Sequence, residues 1–204
     1  MAQRSNPFVA VQPRPAEDAG PELVDEILGE RLLERGPSSP EVLSVDSSQL
    51  EATEWPRTSI TQHLPLTVFG LHGGAGTSTL ARLLGDQALD AGQGWPVASG
   101  WTRPLPTLDV LAVARTHHTG LAAAEQFTQL WASGDLPESR LVGLVLVDDG
   151  PNLTDGQKRA VKRLLKKTPL GAHLPWMEQW RHSFPDPARL PGRLKRLLKA
   201  IHSH

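Results

Sequence analysis

Residues 66–79 read LTVFGLHGGAGTST, and this stretch decides the fold. Residues 66–71 form a continuous apolar run, the pattern of a strand buried on both faces. His72, Gly73, Gly74, Ala75 and Gly76 follow at once, and leucines then recur at helical spacing from Leu80. A strand, a glycine-rich loop and a helix together make a phosphate-cradle arrangement. Glycines let successive backbone N–H groups converge on one point, and the start of a helix adds positive potential for an anion.

Working outward, Leu80, Leu83, Leu84 and Leu89 predict a helix over 79–90. Residues 92–107 (GQGWPVASGWTRPLPT) are rich in Gly and Pro and leave room for one short strand at most. A second buried strand is expected at 109–115 (DVLAVAR), then a helix over about 119–133. A third strand follows at 141–147 (LVGLVLV), then a basic helix over about 154–167. Apolar strands alternating with helices imply an α/β fold: a parallel sheet in three layers, with helices on both faces and right-handed crossovers. The domain is expected to span 61–185.

The flanks differ from this core. Residues 1–60 are rich in Pro, Ser, Glu and Asp and carry an acidic excess, so most of this tail is expected to lack a fold of its own. Leu23, Val24, Ile27, Leu28, Leu32 and Leu33 nevertheless recur near helical spacing, and Pro21 and Gly36 bracket them. This predicts a short helix over 22–35, either packed on the domain or docking a partner from a tether. Residues 186–204 are basic, with Leu190, Leu194, Leu197, Leu198 and Ile201 on one stripe. Arg193, Lys195, Arg196 and Lys199 flank it. Such a helix can pack on the domain, lie on an anionic membrane, or meet nucleic-acid phosphates. Lys158, Arg159, Lys162, Arg163, Lys166 and Lys167 extend the basic character upstream. The chain has no cysteine, which removes thiolate chemistry and disulfides. No apolar run approaches a membrane span and the first residues lack a signal-peptide core, so a cytoplasmic location is expected, with peripheral membrane attachment as the variant.

The segment His72-Gly-Gly-Ala-Gly-Thr-Ser-Thr79 resembles the deviant Walker A motif of ParA/MinD-type P-loop ATPases, Lys-Gly-Gly-x-Gly-Lys-Thr-Thr. The likeness continues in order through 109–115, 141–147 and the Leu174-Pro175 stretch with Trp176 behind it, covering roughly 64–185. It is also similar to shortened ParA-like proteins without an assigned activity. By this resemblance Gly73, Gly74, Ala75, Gly76, Thr77, Ser78 and Thr79 would cradle the phosphates of ATP or ADP. The departures bear on activity. His72 and Thr77 stand where the family has lysines. The family's two metal-shell aspartates are expected at strand ends between the loop helix and the next core strand, where only Asp86, Asp90 and Asp109 occur. Asp86 and Asp90 are expected on the helix, and Asp109 at the opposite end of the sheet.

Phosphoryl transfer rests on positioning and on charge stabilisation by lysine and metal, and one lost donor of this kind costs ~3–4 kcal/mol of barrier. The expectation is therefore a non-hydrolysing ParA/MinD-like protein acting as adaptor or regulator of a DNA-partitioning, DNA-transfer or surface-assembly machinery. The alternatives are an active ATP-binding enzyme with an unusual loop, and a membrane- or DNA-surface binder working through its basic C-terminal helix. Asp148 and Asp149 read either as a turn and helix cap or, by family position, as a contact to a nucleotide base. His117 and His118, with His72, could form a metal site, although neighbouring residues rarely face one ion. Trp176 and Trp180, one helical turn apart, read either as core or as an exposed protein-binding pair.

Overall fold

In the computed structural model the structure describes residues 32–40, 55–136 and 138–203. The elements in chain order are strand β1 (Leu33–Arg35), β2 (Arg57–Ile60), β3 (Leu66–Gly70), helix α1 (Thr77–Leu84), β4 (Ala88–Gln93), β5 (Trp95–Ala98) and β6 (Leu108–Arg115). Helix α2 (His118–Ala132), β7 (Ser139–Val147), α3 (Asp155–Leu164), β8 (Leu170–Leu174) and α4 (Gly192–His202) complete it. The main sheet has the order β1-β8-β7-β6-β3-β4, and β2 pairs with β5 in a separate two-stranded ribbon. Within the main sheet β4, β3, β6, β7 and β8 run parallel, and β1 closes the edge antiparallel to β8.

Numbered by appearance, the parallel strands lie in the order 2-1-3-4-5, a doubly wound arrangement. Its chain direction reverses between β3 and β6, and such folds bind ligands in the crevice beyond the strand ends at that reversal. The reason for the two-sided sheet is visible in the sequence. Val68, Val113 and Val145 face one layer, while Phe69, Ala112 and Leu144 face the other. The first layer holds α1 and α4, with Leu190, Leu194, Leu197, Leu198 and Ile201 all buried. The second holds α2, α3 and the β2–β5 ribbon, where Trp95, Phe69 and Phe127 meet edge to face or tilted.

Several expectations change. The helix expected over 22–35 lies, up to Arg31, outside the described residues; Leu33–Arg35 is strand, not helix, because its backbone completes the edge of β8. With β1 and β2 (Arg57–Ile60) in the sheet and the ribbon, parts of the expected 1–60 tail belong to the folded unit. The loop helix ends at Leu84, where Gly85 adopts a positive φ of 72°. Leu89 and Asp90 therefore sit in β4, beside β3. The Gly- and Pro-rich stretch still yields β5 behind β4. Trp176 and Trp180 are not on an α-helix: only a short 3-10 turn, Glu178–Arg181, forms there.

The basic residues of α3 and α4 do not make one surface. Val161 and Leu164 anchor α3 in the second layer, whereas the α4 stripe anchors in the first, so their charged faces point away from opposite sides of the sheet. Arg163 of α3 and Lys167 just beyond its end both pair with Glu125 of α2. Burial raises the Glu125 carboxyl, but hydrogen bonds and charge from Lys167 and Arg163 outweigh it and hold the group below its ordinary range. No helix among the described residues is long and apolar enough to cross a membrane.

Candidate functional site

The glycine loop joins β3 to α1 at the reversal point. Gly76 takes φ +98° as the residue before α1 and supplies no side-chain cap. The first-turn N–H groups of Thr77, Ser78 and Thr79 thus have no capping side chain, the usual condition of an anion-accepting helix start. Thr77 does not reach outward as a lysine would. Its hydroxyl lies 2.6 Å from where a Cβ on Gly70 would stand, so it fills the space beneath the loop.

The cation nearest the loop comes from the neighbouring strand. Arg115, the last residue of β6, donates from Nε to the Gly74 carbonyl at 3.3 Å and from Nη1 to the Asp148 carbonyl at 3.2 Å. It straps the loop to the end of β7. Two of its five N–H donors are used, which leaves others to face the crevice. The Arg115 backbone N–H donates to His72 Nε2 at 2.9 Å, and His72 Nδ1 donates to the Gly73 carbonyl at 2.9 Å. His72 is therefore a brace between loop and strand, engaged at both ring nitrogens.

Its ring lies 4.8 Å from that of His117. His117 caps α2 by accepting from the Gly120 N–H at 3.0 Å. Gly120 is required there: a Cβ would stand 2.2 Å from the Arg115 carbonyl and 2.9 Å from His72 Nε2. His72 and His117, two of the three histidines weighed for a metal, thus bind backbone. Among the described residues no group of three or more His, Asp or Glu is placed to hold a metal ion.

Behind the strap lies a polar network that joins three strand ends. Asp148 is buried and accepts from His173 Nε2 at 2.8 Å, from the Thr116 hydroxyl at 3.3 Å and from the Trp176 N–H at 3.3 Å. Asp149 accepts from Thr116 at 2.8 Å. Gln157 of the α3 capping box donates to the Thr116 carbonyl at 3.0 Å. Asp148 is accordingly neither a free turn residue nor a helix cap; Thr154 caps α3.

These parts border a cleft of about 250 Å³. Gly76 and Thr79 form its floor, Arg115 and Asp148 one wall, and Trp176, Met177, Trp180, Arg181 and Phe184 the other. Arg82 lies over the Phe184 ring at 3.9 Å, and Arg181 pairs with Glu178, which also accepts from Trp176 Nε1. Of the loop residues expected to cradle phosphates, Gly76 and Thr79 reach this cleft. Asp109 lies at the far end of the sheet in a bidentate pair with Arg140, and Asp90 caps the Gly92 N–H. Sequence reasoning did not single out Arg115 or His173 for the site. Arg115 closing an apolar strand beside a glycine loop was the one available signal.

Fold and site together define a doubly wound α/β domain with a glycine-loop crevice at its switch point. The chain belongs to a family of unknown function (DUF6668), which matches residues 65–198. No curated protein and no solved structure matches it.

Proposed function

We propose that this protein is a non-hydrolysing, ParA/MinD-like P-loop module that works by binding, as an adaptor or regulator. The observation that carries the reading is the strap of Arg115 across the glycine loop. The cradle keeps its glycines and its open helix start, while the guanidinium that reaches the loop, Arg115, gives two of its N–H groups to backbone carbonyls. Thr77 fills the position of a phosphate-reaching lysine and turns inward. In the family that the sequence resembles, a carboxylate belongs at the end of the strand beside the loop strand. Here β4 ends at Gln93, whose amide nitrogen lies 3.3 Å from where a Cβ on Gly73 would stand. An amide offers magnesium no charge, and phosphoryl transfer depends on that charge.

An anion at the helix start is compatible with this reading, because Arg115 retains unused donors and the first turn is uncapped. Titrating the full chain with a fluorescent ATP analogue, with and without magnesium, tests it. Weak binding indifferent to magnesium, or none, is expected. Tight binding that requires magnesium contradicts the proposal and favours an active enzyme.

A further inference from the structure

The aromatic wall of the cleft is held in shape by the fold itself. β8 ends at Leu174, and Pro175, with no N–H to donate, stops the ladder there. The chain is then pinned at two points. The Trp176 N–H donates to buried Asp148 at 3.3 Å, and Pro185 and Leu190 are buried further on. Between them the Trp176 Nε1–H donates to Glu178 at 2.8 Å, and half-buried Trp180 packs on the layer of α1 and α4. Phe184 is 72% exposed, yet its ring carries the Arg82 guanidinium at 3.9 Å. Arg82 comes from α1, one turn beyond Thr79 on the cleft floor.

Size, charge and composition define what fits this surface. The cleft holds about 250 Å³, less than the ~300–1,000 Å³ that enclose a drug-sized ligand. It has room for one large side chain, and Phe184 carries the apolar surface on into the open. The cations here are arginines; every lysine of the chain lies on or beside α3 and α4. Neither Arg82 nor Arg115 has a carboxylate within ion-pair reach among the described residues. Arg181 shares Glu178 in an exposed pair, which costs little to rearrange. The other acid, Asp148, is taken up by His173, Thr116 and the Trp176 N–H. Tryptophan, phenylalanine, methionine and arginine without lysine is the composition of a protein-binding centre. A nucleic-acid track instead needs a row of open ring faces along a cationic groove. Here Arg82 covers one face of Phe184, and the cavity takes one group, not a row of bases.

We propose that the cleft and its rim dock an acidic segment of a partner protein. One aromatic or large aliphatic side chain enters between Trp176, Met177 and Trp180, and flanking carboxylates meet Arg82, Arg115 and Arg181. A guanidinium stacked on a ring keeps its in-plane N–H groups for bidentate pairing with a carboxylate. A wall already pinned at both ends loses little freedom on binding. The inference rests on the reading of this chain as a module that works by binding, and holds whether or not the loop takes nucleotide.

A library of random peptides displayed on phage, selected on the purified chain, tests it. Enriched peptides are expected to combine several carboxylates with an aromatic or large aliphatic residue. A synthetic copy of one should shift the indole N–H signals of Trp176 and Trp180 in NMR, while Trp95 and Trp131, in the opposite layer, keep theirs. Arg82→Glu and Arg181→Glu should each weaken its binding ~10-fold or more. Phe184→Ala should weaken it too, and Arg159→Glu on α3 should leave it unchanged. All four positions are exposed, so the variants keep the fold. No enrichment, enrichment of peptides without acids, or affinity indifferent to the cleft variants overturns the proposal. Binding of fluorescein-labelled oligo-dT that the same variants abolish assigns the surface to nucleic acid and equally overturns it. Tight magnesium-dependent ATP binding would strike the non-hydrolysing reading and leave the peptide outcomes standing.

Discussion

The loop after β3 and the segment after β8 border one cleft, yet they are built of opposite materials. The loop is nearly bare of side chains, and its shape is set by backbone: Gly76 at φ +98° and an uncapped helix start. The segment after β8 is dense with large side chains, Trp176, Met177, Trp180, Arg181 and Phe184. In a working phosphate loop the chemistry sits in the loop's own lysine and its metal. In this chain the loop keeps the form, while charge and recognition surface come from its neighbours, Arg115 and the wall. Under the proposed function, a crevice so arranged holds a ligand rather than cleaving it.

Asp148 ties the two regions together, and removing it is the severest way to break the comparison. Asp148→Ala leaves His173 and the Trp176 N–H without a buried partner and is expected to cost ~3–5 kcal/mol in chemical unfolding. Gly76→Val attacks the loop alone. A β-branched residue at that φ is expected to lose ~2–3 kcal/mol, and Gly76→Asn distinctly less, because asparagine tolerates the left-handed region. Arg115→Gln should cost ~1–2 kcal/mol and speed hydrogen exchange of the loop amides specifically, leaving β8 protected. At the other extreme Phe184→Ala, at an exposed position, should stay within ~0.5 kcal/mol.

Away from the cleft, the pair of cations on Glu125 predicts a pH effect. Its folded carboxyl titrates below the ordinary value, so the stabilisation is present above the unfolded pKa and is lost as pH falls through the folded one. Glu125→Gln should therefore lower stability near neutrality and flatten its acid-side decline, read as unfolding midpoints across that window.

The sequence disclosed the fold where the physics is local. Apolar runs at 66–71, 109–115 and 141–147 have few readings other than buried strands, and α2 and α3 began within a residue of expectation. It misled where one pattern serves two structures. Leu89 continues a helical spacing that Gly85 had already ended, and Leu32 and Leu33 imitate a helix while completing a sheet edge. The glycine loop was legible because backbone demands leave their mark in one place. The strap and the buried pair were not: Arg115 meets Gly74 across forty-one residues and His173 meets Asp148 across twenty-five, on strands whose adjacency exists only once the sheet has formed.

The most direct measurement is phosphate release by the purified chain given ATP and magnesium. The account predicts a rate equal to that of buffer alone, unchanged by Ser78→Ala. Steady turnover above buffer that Ser78→Ala abolishes would contradict it, by showing that a loop without its own lysine still does phosphoryl chemistry.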